Sequence, residues 1–132
     1  MQNQLVQNNA SQHAVQARVT SGAWLMGIAV FHDIFGLFVG AEHLLDIAQH
    51  GGFATVTDDQ PWRMAIFWFM MSGVLMFGIG AMWHWVERQG LVLPKVAPIG
   101  LALTSLIGIF FMPISGFWLM LLVAGNQLLR QR

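Results

Sequence analysis

Residues 23–47 read AWLMGIAVFHDIFGLFVGAEHLLDI, an apolar run in which His32, Asp33, Glu42, His43 and Asp46 are embedded. A run of 25 residues is long enough to cross a hydrocarbon core as a helix, which takes about 20 predominantly apolar residues. At about 100° per residue, His32, Gly36, Val39, His43, Asp46 and His50 fall on one narrow stripe, with Asp33 and Gly40 beside it. The opposite side carries Val30, Phe31, Ile34, Leu37, Phe38, Ala41, Leu44 and Leu45. Ionisable groups are costly in hydrocarbon unless they face protein or water, so each one inside a span marks a place to look for function. The expected arrangement turns the stripe toward the rest of the protein. The Phe31, Ile34 and Phe38 side then meets lipid or a partner chain.

The rest of the chain reads the same way. Of its 132 residues 56% are hydrophobic and only 9% charged, against roughly a quarter charged in ordinary soluble domains. Three further apolar segments lie at 63–85, 94–112 and 115–129. Pro113-Ile114-Ser115-Gly116 is turn chemistry between the last two, which makes a tight helical hairpin rather than one long span. Thr20 or Ser21 can cap the first helix, and Asp59 with Pro61 suits the start of the second. The fold class expected is all-α: a four-helix integral membrane bundle, up-down-up-down, spanning 20–132 behind a polar Gln/Asn-rich tail at 1–19. No basic start followed by an apolar core and a cleavage site opens the tail, so it does not read as a secretory signal.

Basic residues set the orientation. Arg18, Arg88, Lys95, Arg130 and Arg132 lie on one side of this arrangement, and Arg63 alone lies on the other, next to Asp58 and Asp59. The positive-inside rule places both termini in the cytoplasm of a multi-pass inner-membrane protein. Trp24, Trp83 and Trp85 then mark the inner interface, and Trp62 and Trp118 the outer one. The six basic and six acidic side chains balance, which argues against a nucleic-acid partner. Absence of Cys removes disulfides, thiolate catalysis and cysteine-ligated metals.

Depth then groups the polar residues. Counted from Trp24, Trp62 and Pro94, His32, Ser72, Thr104 and Ser105 each lie roughly 12–15 Å into the bilayer. His32, Asp33, Ser72, Thr104 and Ser105 are therefore the candidate ligand-binding set at the centre. No Lys or Arg shares that level, so Asp33 is expected to be protonated or hydrogen-bonded rather than salt-bridged. A second, outer cluster holds Glu42, His43, Asp46, His50 and Arg63. Within it His43, Asp46 and His50 are acceptable ligands for a divalent metal. They span roughly 10 Å along one helix, which is too far for all three to grip one ion unaided. A bis-histidine haem is disfavoured, because it needs two imidazoles at one depth on facing helices. His32 is central, His43 outer and His84 inner, so no cofactor is assigned.

The runs Phe31-His32-Asp33-Ile34-Phe35-Gly36-Leu37, Ala65-Ile66-Phe67-Trp68-Phe69 and Met112-Pro113-Ile114-Ser115-Gly116-Phe117-Trp118-Leu119 resemble a bacterial family of small four-span membrane proteins of unknown function. The resemblance covers roughly 20–129, and its most specific piece is the Pro-x-Ser-Gly-Phe-Trp turn. That family similarly carries a histidine in its first span, matching His32. The resemblance implies the fold and brings no activity, substrate or cofactor.

Three functional readings remain. The first is a non-enzymatic membrane protein with a polar intramembrane pocket, which binds a small ligand or proton or serves a larger membrane complex. The second is a small membrane enzyme or redox partner acting on a lipophilic substrate such as a quinone. The third is a transporter built as a homo-oligomer. Only Ser72, Thr104 and Ser105 accompany His32 and Asp33, with no second nucleophile, so the binder leads.

Overall fold

The structure, a computed structural model, describes residues 19–131, and the stretch 1–18 of the polar tail lies outside them. Among the described residues five helices follow one another: α1 Ser21–Val39, α2 Ala41–Gln49, α3 Pro61–Arg88, α4 Val96–Phe111 and α5 Phe117–Arg130. The described residues contain no strand. Among the described residues two helices, α1 and α3, are long and apolar enough to cross a membrane. With 16 and 14 residues, α4 and α5 reach only about 24 and 21 Å at 1.5 Å per residue.

Local chemistry explains where the helices stop. The Thr20 hydroxyl accepts from Ala23 N–H at 3.1 Å and caps α1, satisfying one of the free amides of its first turn. Pro61 opens α3 at a position where its missing N–H costs nothing. The cap before it is Gln60, while Asp59 instead accepts a hydrogen bond from the Thr57 hydroxyl. At the far end of α3, Gly90 adopts φ 70°. Its N–H reaches Glu87 O at 3.1 Å, and Leu91 N–H reaches Val86 O at 3.2 Å, the paired bonds of a Schellman ending. Gly51 closes α2 in the same way.

Residues 23–47 do not form one helix. The chain breaks at Gly40, whose ψ of 8° departs from the helical value near −42°. His43 and Asp46 therefore belong to α2, a separate helix that His50 caps. The expected stripe as a continuous face ends at Val39, which is itself exposed.

The principal packing is α1 against α3, antiparallel. Positions 22 and 36 of α1 and 40 at its C-cap meet residues 80 and 84, then 69 and 70, then 66 of α3. On α1 the seam runs through Gly22, Met26, Ala29, Asp33, Gly36 and Gly40 in steps of four and three. The α3 seam runs through Ile66, Met70, Gly73, Met76, Gly80 and His84. This alternation is the geometry of two helices wrapped about each other. A Cβ at Gly22 would meet the backbone of Gly80 and His84, so the absent side chain lets the two backbones approach.

The second hairpin, α4 with α5, turns through 112–116 and shows what its motif does. Pro113 disfavours a helical Met112, which sits at φ −135°, ψ 75°. Ser115 Oγ donates to Met112 O at 2.6 Å, and Trp118 Nε1 donates to Pro113 O at 2.9 Å. The Phe117 ring lies over Gly108. Both hairpins meet in one core of Leu25, Ala29, Met76, Trp83, Leu93 and Val123, flanked by Ile28, Val86, Ala97, Leu101 and Met120. Trp83 is part of this core and 4% exposed. It is therefore a packing residue, unlike the exposed Trp24, Trp62, Trp85 and Trp118.

Candidate functional site

Consecutive residues on α1, His32 and Asp33, both meet one turn of α3, residues 69–73. His32 stacks on Phe69 with ring centroids 3.8 Å apart and planes within 14°. Its Nε2 lies 3.0 Å from Phe69 O and 3.2 Å from Ser72 Oγ. A backbone carbonyl only accepts, so Nε2 carries the hydrogen. Ser72 donates its own hydrogen to the same carbonyl at 2.7 Å. Phe69 O thus collects both donors, the Ser72 hydroxyl bonding back onto its own helix one turn along.

Asp33 occupies a seam position, and its carboxyl group fills the space that a Cβ on Gly73 would take. Asp33 Oδ1 is buried and has no hydrogen-bond partner among the described residues. Unpaired buried polar atoms are few in native proteins and each calls for an explanation. This site is where the first helix's expected polar face meets α3, and it brings His32, Asp33 and Ser72 together.

Thr104 and Ser105 are not part of it, contrary to the depth-matched set. Thr104 is exposed and donates to Gly100 O at 3.0 Å; Ser105 is buried and donates to Leu101 O at 2.7 Å. Both hydroxyls are spent on their own helix, and α4 packs chiefly on α5 rather than on α1. Equal depth sets the level of a residue and leaves its direction around the helix open.

The outer cluster is held by Arg63. Its Nε donates to Asp46 Oδ2 at 2.6 Å and its Nη1 to Thr55 O at 3.1 Å, which ties α2, the following loop and α3 together. This hydrogen bond from Arg63 holds the Asp46 carboxyl, beyond the end of α1, below its ordinary value of 3.8. The Thr57 hydroxyl likewise lowers Asp59. His50 Nδ1 is 2.8 Å from Asp46 O, and His43 lies parallel to Trp62 with ring centroids 6.0 Å apart. Glu42, His43, Leu45, Asp46 and Gln49 line an open groove of about 340 Å³. Among the described residues no three His, Asp or Glu side chains are placed to share a metal ion. His43, Asp46 and His50 are thus not gathered as a group of three: Asp46 is engaged by Arg63 and His50 by the Asp46 carbonyl.

Glu87 was not among the expected residues. Its carboxylate accepts from Ser21 N–H at 3.1 Å and Gly22 N–H at 2.9 Å, placing a negative group at the positive end of α1. His84 Nδ1 is 2.5 Å from the Thr20 hydroxyl, and Ser21 Oγ donates to Gln127 Oε1 at 2.6 Å. The signal in the sequence was the His84-x-x-Glu87 pair, which puts two polar side chains on one face at the end of α3. His32, His43 and His84 thus stand in three separate surroundings.

Residues 16–132 match the family described as Family of unknown function (DUF6463). The chain belongs to that family. The match extends past both ends of the 20–129 resemblance and includes every residue of the three sites above. No curated protein and no solved structure matches the chain.

Proposed function

We propose that this member of the DUF6463 family is a bacterial inner-membrane protein of four spans with both termini in the cytoplasm. Its working part in this reading is the polar site of His32, Asp33 and Ser72, which binds a small ligand within the bilayer. One observation carries the reading: the buried Asp33 Oδ1 without a partner, on the seam between the two longest apolar helices. An acidic side chain is expensive there unless something pairs with it, and no Lys or Arg occurs between residues 19 and 62 or 64 and 87.

The membrane setting draws support from the exposed apolar surface, which includes Phe38, Phe110, Phe111 and Ile114. Monomeric soluble proteins rarely leave so continuous an apolar surface uncovered. The short α4 and α5 fit a bundle whose outer end thins around the 112–116 turn. Phe31, Ile34 and Phe38 then face lipid, a second copy of the chain or a larger complex.

A second reading is favoured by the same geometry. A single polar residue at a seam position can fix the register of two packed helices, and Asp33 opposite Gly73 meets that description. A native mass spectrum of the full chain released from mild detergent separates the two. Ligand binding predicts a small-molecule adduct on the wild type that Asp33→Asn lacks. Identical spectra from both, with no adduct, would leave the register role and overturn the binding site. A C-terminal reporter active only in the periplasm would overturn the orientation.

A further inference from the structure

The hydrogen-bonding inventory of the His32 and Asp33 site restricts what can bind there. Both donors are already used, since His32 Nε2–H and the Ser72 hydroxyl each reach Phe69 O. What remains are acceptors. In the neutral ring the Nε2–H form leaves a lone pair on Nδ1. Nδ1 makes no hydrogen bond among the described residues and is not one of the buried unpartnered atoms, so it is open to a ligand. Asp33 Oδ1 accepts nothing and is closed against Gly73; Oδ2 also makes no hydrogen bond among the described residues and is not buried, so it is the carboxyl oxygen a ligand reaches. A ligand that only accepts, such as a carbonyl compound, or one that is anionic, gains no bond from this pair.

The surroundings add a charge and a shape. α1 has no Lys or Arg, and those of α3 are Arg63, committed to Asp46, and Arg88 in its last turn. Nothing nearby supplies a cation to Asp33. The Phe69 ring stacks on His32, and Phe35 lies tilted beside Phe69 at 6.5 Å. Phe31 and Phe35 are both more than half exposed, and Ser72 is exposed as well. The site therefore opens sideways onto the apolar surface of the helix pair, away from the groove at residues 42–49. Aromatic faces beside a desolvated cation add cation–π attraction.

Resting on the binding-site reading above, we propose that the ligand is a lipophilic ammonium carrying at least one N–H, which enters from the bilayer and pairs with Asp33 and His32 Nδ1. Its charge answers the carboxyl group, its N–H groups answer the unused acceptors, and its apolar part lies along Phe31 and Phe35.

Three probes with one alkyl chain test this on the full-length protein in nanodiscs of zwitterionic lipid: dodecylammonium, dodecyltrimethylammonium and dodecanol. Calorimetry reads affinity, and nitrogen-15 spectra of labelled histidine read the site itself, with the His32 signals assigned through His32→Gln. Dodecylammonium is expected to saturate and to move the His32 Nδ1 resonance. It should bind about tenfold or more tighter than either other probe, the size expected for a charge-assisted hydrogen bond. Asp33→Asn should lose that advantage while the Nε2–H signal of the Phe69 bond persists. Equal binding of the trimethyl compound removes the N–H requirement, and equal binding of dodecanol removes the charge requirement. Either overturns this inference, yet a His32 shift with either compound leaves a polar binding site in place. If no probe moves the His32 resonance, the ammonium is excluded on the wild-type protein alone, and the native mass spectrum then decides the broader reading.

Discussion

Adding one methyl group at residue 73 should destabilise the protein, whereas the same change five residues along α3 should stabilise it. Alanine in a helix interior is favoured over glycine by about 0.5–1 kcal/mol. At Gly78 that gain stands alone, because a Cβ there has nothing within 4 Å. At Gly73 the new Cβ would overlap Asp33, with Cγ at 2.5 Å and Oδ2 at 2.8 Å. Asp33 has only two side-chain torsions, and rotation of the carboxylate about the second leaves Cγ in the way. Either χ1 changes or the helices separate, at an overpacking cost of about 1–3 kcal/mol. The two variants should therefore differ by about 1–3 kcal/mol in reversible unfolding in mixed micelles, with Gly73→Ala the weaker protein. Pairing Gly73→Ala with Asp33→Ala removes the obstacle, and the cycle should return most of that difference as coupling. Gly22→Ala should be worse than Gly73→Ala, since its Cβ meets backbone atoms of His84 and Gly80. If Gly73→Ala and Gly78→Ala match within about 0.5 kcal/mol, the α1–α3 seam described here is wrong.

Replacing Glu87 by Ala leaves Ser21 N–H and Gly22 N–H without their acceptor, and thermal unfolding should show a loss of about 1 kcal/mol, with Glu87→Gln losing less. The depressed Asp46 and Asp59 groups stabilise the fold above the unfolded value of 3.8 and lose that contribution as pH falls through their lower folded values. The melting temperature should therefore drop on acidification below about pH 4. Asp46→Asn should flatten part of that drop and leave the Asp59 share; an unchanged profile would dissociate Arg63 from Asp46. For cysteines placed one at a time on α1, lipid-phase quenchers should reach position 38 far more readily than position 29. Phe38 is 80% exposed and Ala29 fully buried; the reverse order would invert the face assignment.

The helical class and the polar site's first partners were legible because they depend on local pattern. Apolar runs interrupted by Pro113 and by Gly90 predict helices and their ends from chemistry carried within a few residues. His32, Asp33 and Ser72 stood out because polar groups inside apolar helices are rare. What could not be read was direction around the helix between non-neighbouring segments. Thr104 matches His32 in its count from the expected span end, yet its hydroxyl turns back on Gly100. The acceptor that organises the site, Phe69 O, belongs to the backbone, and no reading of side chains selects it. Gly73 gains meaning only from Asp33 opposite. The seven-residue spacing of Ile66, Gly73 and Gly80, set against Met26, Asp33 and Gly40, was the available sign of that pairing. The break at Gly40 was hidden for a related reason: the helical spacing of Gly36, His43 and Asp46 runs on across it while the backbone leaves helical geometry.

Asp33 is both a seam residue and a group without a partner, and these two properties constrain each other. A carboxyl placed only to fix register would gain by hydrogen-bonding across the seam, because an unpaired buried polar atom costs about 1–3 kcal/mol. The nearby hydroxyl of Ser72 does not serve it; that hydrogen goes to Phe69 O, where His32 also donates. The arrangement therefore satisfies the His32 Nε2–H and leaves the carboxyl unpaired. Glycine opposite Asp33 works in the same direction, since it makes room for the carboxyl without offering a side-chain donor. Register alone explains the space at Gly73 but not the missing donor, whereas a site awaiting a donor explains both. Asp33→Asn brings its own N–H donors and Asp33→Leu brings none, so a register role predicts that Asn tightens the seam. A ligand role predicts that Asn keeps the seam and loses the ligand.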